Sequence, residues 1–192
     1  MKKFLFFCLC LFAAGMTQAQ YTTPGTGVNW SMDDLVTNSA GAVTLTGTHY
    51  NITADLIIAA TDTLQITTND SILINELILI ESSGAFIVDA PEQVVFTATD
   101  TLAASKWRGI KFNDDTYTKL HNATFSYGGG LKVNGGVFEI DHCTLKKNHA
   151  KTGSTGAISS TGSVSFTDVN PVITHCDFLY NESPAISSGA NM

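Results

Sequence analysis

The chain has 192 residues, with 10 Lys and Arg against 17 Asp and Glu, and a formal net charge of −7. That balance excludes the basic footprint that nucleic acid or an anionic membrane surface would call for. Of the four cysteines, Cys8 and Cys10 fall in the first apolar run, and the two that remain, Cys143 and Cys176, are too few for a disulfide framework.

The first element is a leader. Lys2 and Lys3 precede an apolar run from Phe4 to Ala14, and Thr17, Gln18 and Ala19 supply a small-residue cleavage site. This order of charge, apolar core and cleavage site predicts a secretory signal over residues 1–19, cut after Ala19. The run is shorter than the roughly 20 apolar residues a bilayer span needs. No Leu-small-small-Cys box surrounds Cys8 or Cys10, which argues against a lipid anchor. Loss of Lys2 and Lys3 moves the charge from −7 to about −9 and leaves roughly 170 residues, enough for one domain with a real core. Cys143 and Cys176 remain, and the compartment would permit one bridge between them.

Residues 20–41 predict an N-terminal cap containing one short helix. In "NWSMDDLVTNSAG", Ser31 and Asp34 have capping-box spacing, and Trp30 and Leu35 can form a hydrophobic staple. Asp33 and Asp34 suit the first turn, where carboxylates favour the helix dipole, and Gly41 is the expected stop. From residue 42 onward short runs of Val, Ile, Leu and Phe alternate with Asn, Asp, Gly, Ser and Thr. They include "AVTLTG", "DLIIAA", "DTLQITT", "SILINELILI", "GAFIVDA", "QVVFTAT", "WRGIKF" and "VFEIDHCTL". The pattern reads as strand after strand, with no intervening helices to make βαβ crossovers.

An internal echo sorts the possible all-β architectures. "LHNATF" (120–125), "IDHCTL" (140–145) and "ITHCDF" (173–178) superpose as apolar, polar, Asn or His, small or Cys, polar, apolar. The spacing is about 20 and then about 33 residues, a solenoid signal rather than that of an antiparallel sandwich or barrel. Asn122, His142 and His175 read as left-handed bend residues between two strands. As metal ligands the two histidines would sit on neighbouring coils without an obvious carboxylate in the motif, so the bend reading is preferred. Cys143 and Cys176 are expected to face inward as small apolar residues. Asn148 and Asn181 close each unit and are expected to bond loop backbone. A second echo, "GAISS" (156–160) and "PAISS" (184–188), starts a further strand in each unit. The last echo lies close to Met192, and a bare coil edge invites pairing, so further coils are expected beyond Met192.

With these residues in view, the chain resembles the right-handed parallel β-helix superfamily of secreted, pectate-lyase-like proteins. "WRGIKF" followed by "LHNATFSYGG" looks like the Trp-x-Gly-Ile, Leu-x-Asn-Ala and Tyr-Gly-Gly run of those repeats. "YTTPGTGVNWSMDDL", "YGGGLKV" and "PAISSGAN" are similar to a group of uncharacterised exported proteins of Bacteroidetes-type bacteria. The resemblance implies an all-β, right-handed parallel β-helix over residues 42–192 with a short N-terminal capping helix. It also implies an extracellular or outer-surface address.

Enzymes share that fold, which makes any cluster of acids and bases a candidate for catalysis. Asp114 and Asp115, with Arg108 and Lys111 upstream, are the nearest cluster, yet they fit a turn after a strand equally well. "SYGGGLKVNGG" lacks the Lys-Ser/Thr pair and helix of a phosphate loop. Tyr21, Trp30, Trp107, Tyr127 and Tyr180 could stack on sugars where exposed. Thr63, Ser71 and Thr101 follow aspartates in short O-glycosylation-like triplets. No catalytic, cofactor-binding or metal residue and no cofactor is assigned. The sequence supports a non-catalytic secreted or surface module, structural, adhesive or glycan-contacting, whose partner is extracellular polysaccharide or a cell-surface component. The alternative is a lyase or hydrolase acting on acidic polysaccharide, and a calcium-stabilised repeat is the third reading.

Overall fold

The computed structural model describes residues 20–113, 116–149, 164–167, 169–182 and 184–188. The expected leader, the first "AISS" echo, and Asp114 and Asp115 lie outside these residues. Two short strands, β1 (Tyr21–Thr22) and β2 (Asn29–Trp30), lead into α1 (Met32–Asn38), the only helix among the described residues. The capping box forms: Ser31 Oγ accepts from the Asp34 amide, and the Asp34 carboxylate accepts from the Ser31 amide. Met32 and Leu35 turn inward, as does Trp30 before the cap. The helix stops at Asn38, ahead of the expected Gly41, because the chain already turns left-handed at Ala40 (φ 52°). No helix among the described residues is long and apolar enough to cross a membrane.

The rest is strand. A hairpin joins β3 (Val43–Thr46) to β4 (His49–Ile52). Then come β5 (Leu56–Ile58), β6 (Thr63–Ile66), β7 (Ser71–Ile74), β8 (Leu79–Ser82) and β9 (Ala85–Ala98). They are followed by β10 (Gly109–Phe112), β11 (Tyr117–Ser126), β12 (Leu131–Asn134), β13 (Val137–Asp141) and β14 (Thr144–Lys146). Past the undescribed segment lie β15 (Val164–Thr167), β16 (Val172–Thr174), β17 (Asp177–Leu179) and β18 (Ile186–Ser188). One apolar run in the sequence sometimes supplies two strands. "SILINELILI" breaks at Leu77 (φ 62°) and "VFEIDHCTL" at His142 (φ 51°).

The structure is an all-β protein built on parallel pairing. One sheet orders its strands β1-β5-β8-β10-β12-β15-β18; the other runs β16-β13-β11-β9-β7-β4-β3, with β2, β6, β14 and β17 attached beside that path. Among the described residues the β3–β4 hairpin is the only antiparallel pair of strands. Partners are like residues of successive units: Leu120 beside Ile140, Ile140 beside Ile173, and Phe125 beside Leu145 beside Phe178. Alternate residues of β6, β7, β8 and β12 point inward, as a two-residue period requires. The core they build is lined by Ile, Leu and Phe and crossed by an aromatic series. Phe86, Phe112, Phe138 and Phe166 follow one another at centroid separations of 5.5, 5.7 and 5.5 Å, contributed alternately by the two sheets. Each fully buried ring contributes roughly 1.5–3 kcal/mol through lost contact with water.

Candidate functional site

Two columns of left-handed residues run across the second sheet. The first is Asn122, His142 and His175 (φ 53°, 51° and 47°), the positions expected from the echo. The second, five residues further along each unit, is Tyr127, Lys147 and Tyr180 (φ 55°, 53° and 54°). A left-handed residue turns the chain within one position; His142, His175, Lys147 and Tyr180 are exposed at these corners, whereas Asn122 and Tyr127 are half-buried. Asparagines lock the second edge. Asn148 accepts from the Gly128 amide and donates to Phe125 O; Asn181 accepts from the Asn148 amide and donates to Leu145 O. The role expected of Asn148 and Asn181 is therefore observed.

Parallel register sets a polar row just ahead of the first column. Asp89 pairs with His121, His121 with Asp141, and Asp141 with Thr174. The Asp89 carboxylate accepts from Lys119 Nζ at 2.7 Å and faces His121 Nδ1 at 3.0 Å. These two contacts hold its pKa below the usual carboxylate value. Asp141 lies 2.8 Å from His175 Nδ1, 2.7 Å from Thr174 Oγ1 and 2.8 Å from His142 Nδ1. Those three partners hold its carboxyl well below the usual range. His121 Nε2 stands 3.9 Å from the same carboxylate. The His142 and His175 rings stack at 4.6 Å, and His121 meets His142 edge-on at 5.7 Å. An open groove of about 350 Å³ runs beside the row, with Glu139 and Val172 on its walls. The carboxylate that the histidines seemed to lack is thus Asp141, inside the motif itself; its sequence signal was adjacency to His142 at a strand end.

At the second column Lys147 Nζ donates to Tyr127 Oη at 2.9 Å and lies 5.3 Å from that ring's centroid, with Lys106 Nζ at 5.9 Å. The contact with the Tyr127 hydroxyl raises the Lys147 pKa. Tyr180 is 84% exposed. Lys147 and Tyr180 stand between two open grooves of about 410 and 340 Å³, the first with Gln93 and Lys146, the second with Lys106 and His149.

Other sequence candidates separate. Lys111 is tied to Glu81 at 2.8 Å, and Asn113 donates to the same carboxylate. Burial alone would raise Glu81; the Lys111 and Asn113 hydrogen bonds outweigh it and hold it low. Trp30 and Trp107 are buried, their indole N–H groups given to Asp62 and to Ser126 O. Of the five aromatic residues singled out as sugar platforms, Tyr127 and Tyr180 hold edge positions facing the grooves. Cys143 is buried and Cys176 half-buried, both as free thiols. No protein-family model, curated protein or solved structure matches the chain.

Proposed function

We propose that this chain is an exported, right-handed parallel β-helix closed at its N-terminal end by α1. Its work is non-catalytic contact with an acidic polysaccharide. Parallel pairing everywhere among the described strands but the β3–β4 hairpin, single-residue bends and partner offsets of about 20 to 35 residues support the solenoid, since a coil of that length cannot bury its apolar face without neighbours. The observation that carries the ligand class is the Tyr127–Lys147–Tyr180 column. An exposed ring beside an ammonium group offers a stacking surface for a sugar and a charge for its carboxylate. Lys146 adds charge along the same edge, whereas Lys106 is buried and gives its ammonium to Thr101 O. The chain as a whole is acidic, so attraction is local, within the roughly 8 Å over which charges act at physiological salt.

The test is calorimetric titration of the full chain with oligogalacturonate and with a neutral glucan oligosaccharide. The acidic oligomer should bind more tightly. Tyr180→Ala and Lys147→Asn, the latter chosen because Asn tolerates the left-handed bend, should each weaken binding about tenfold, equivalent to about 1.4 kcal/mol. Equal affinity in Tyr180→Ala, or release of shortened or unsaturated oligomers, overturns the reading; the latter would favour a lyase or hydrolase instead.

A further inference from the structure

We infer that His121 Nε2, Asp141 Oδ2 and His142 Nδ1 form a three-ligand site for a divalent transition-metal ion of the zinc type, open at a fourth position. The three donor atoms lie within 4.8 Å of one another, with His142 Nδ1 at 2.8 Å and His121 Nε2 at 3.9 Å from the shared carboxylate oxygen. Ligand bonds of about 2.0–2.1 Å in tetrahedral geometry place donors about 3.3 Å apart. The separations present bracket that value, and small rotations of partly exposed side chains close the difference.

Three features favour a metal over a chance meeting of polar groups. The first is orientation. With His121 Nδ1 donating to Asp89, the lone pair of Nε2 faces Asp141 and His142, the carboxylate–imidazole arrangement that stands behind a metal-bound histidine. Lys119 holds Asp89 in turn. The second is preorganisation. His121 and Asp141 are register partners in the β11–β13 ladder, and the left-handed backbone of His142 fixes the third ligand one residue on. The third is donor chemistry. Two imidazoles and one carboxylate suit Zn²⁺, Cu²⁺ or Ni²⁺, whereas Ca²⁺ needs six to eight oxygens and Mg²⁺ a near-octahedral oxygen shell. His175, on the far carboxylate oxygen, orients Asp141 and is not a ligand. Because the ligands come from two successive units, the ion would pin those units together at the groove wall.

The experiment uses the full chain without an affinity tag, stripped by a chelator and titrated with Zn²⁺, Ca²⁺ and Mg²⁺ while heat, stoichiometry and melting temperature are followed. One Zn²⁺ per chain should bind at micromolar or lower concentration and raise the melting temperature, with Ca²⁺ and Mg²⁺ without effect. Co²⁺ in its place should give the visible bands of a four-coordinate ion. His121→Gln and His142→Asn, the second retaining a residue that accepts the bend, should remove binding while the metal-free melting temperature stays near wild type. Asp89→Asn should weaken binding by 10- to 100-fold. His175→Asn should change it by less than threefold. Undiminished Zn²⁺ binding in His121→Gln, which would place the ion elsewhere (the thiols of Cys143 and Cys176 included), or no binding in the wild type, overturns the site.

Discussion

Asp62 is a carboxylate only 1% exposed, yet it keeps its charge. It accepts from the amides of Gly25, Gly27 and Val28 at 2.9, 2.9 and 3.1 Å and from Trp30 Nε1 at 3.2 Å. Burial alone would raise its pKa; hydrogen bonds from Thr23 and from the Gly25, Val28 and Gly27 amides outweigh that and bring it to about 2. A folded-state pKa below the unfolded value means stability that is fully present above about pH 4 and lost as pH falls through 4 towards 2. Asp62→Asn should cost about 1–3 kcal/mol at pH 7, because the N-terminal loop loses a charged acceptor. Urea melts from pH 7 to pH 2 should show the variant's deficit shrinking over the most acid part of the range. In the sequence Asp62 was legible only as the start of a short Asp-Thr-Leu triplet, because its partners lie some 35 residues upstream. Asn122, His142 and His175 were legible, since Asn and His tolerate the left-handed bend, whereas nothing in a tyrosine or lysine marks one. The second column, Tyr127, Lys147 and Tyr180, therefore escaped the sequence.

At the scale of elements, "WRGIKF" and "SYGGG" meet because two chain segments approach closer than any side chain allows. Gly109 has φ +107°, and a Cβ built there would lie 2.2 Å from Gly130 O. A Cβ on Gly128 would lie 2.2 Å from the Trp107 ring. The Trp107 N–H reaches Ser126 O at 3.0 Å only while that approach is kept. Gly109→Ala thus combines a forbidden backbone angle with a backbone collision and should cost about 2–4 kcal/mol. The check is a denaturant melt monitored by near-ultraviolet circular dichroism: a variant as stable as wild type, with the Trp107 signal intact, contradicts a junction held by close backbone approach. Element type was the most legible property of the chain, because short β-branched and aromatic runs bounded by Gly and Asn leave little choice. Element boundaries were less so. A left-handed Leu77 splits "SILINELILI" although leucine carries no turn signal, and "GAFIVDA" and "QVVFTAT" merge into one strand, β9, across Pro91 and Glu92.

At the scale of the whole molecule, the proposed stack of units has a consequence that the phenylalanine series makes measurable. Phe138 lies between Phe112 and Phe166, with no exposed surface of its own. Phe138→Ala should cost about 3–5 kcal/mol, the loss expected when a ring leaves a core that cannot collapse onto the gap. Where the damage spreads separates two kinds of core. In a stack of nearest-neighbour units each layer is stabilised only by the layers beside it, so a hole in one reaches its neighbours and fades beyond them. Hydrogen exchange in Phe138→Ala should then lose protection in β10, β12, β13 and β15, while amides of β5, β6 and β7 keep most of theirs. A uniform loss across all strands would mean that the chain unfolds as one cooperative core and that solenoid energetics do not apply to it. Graded loss would explain why like residues recur at the same inward position: in a nearest-neighbour stack, each layer must match only the one before it and the one after.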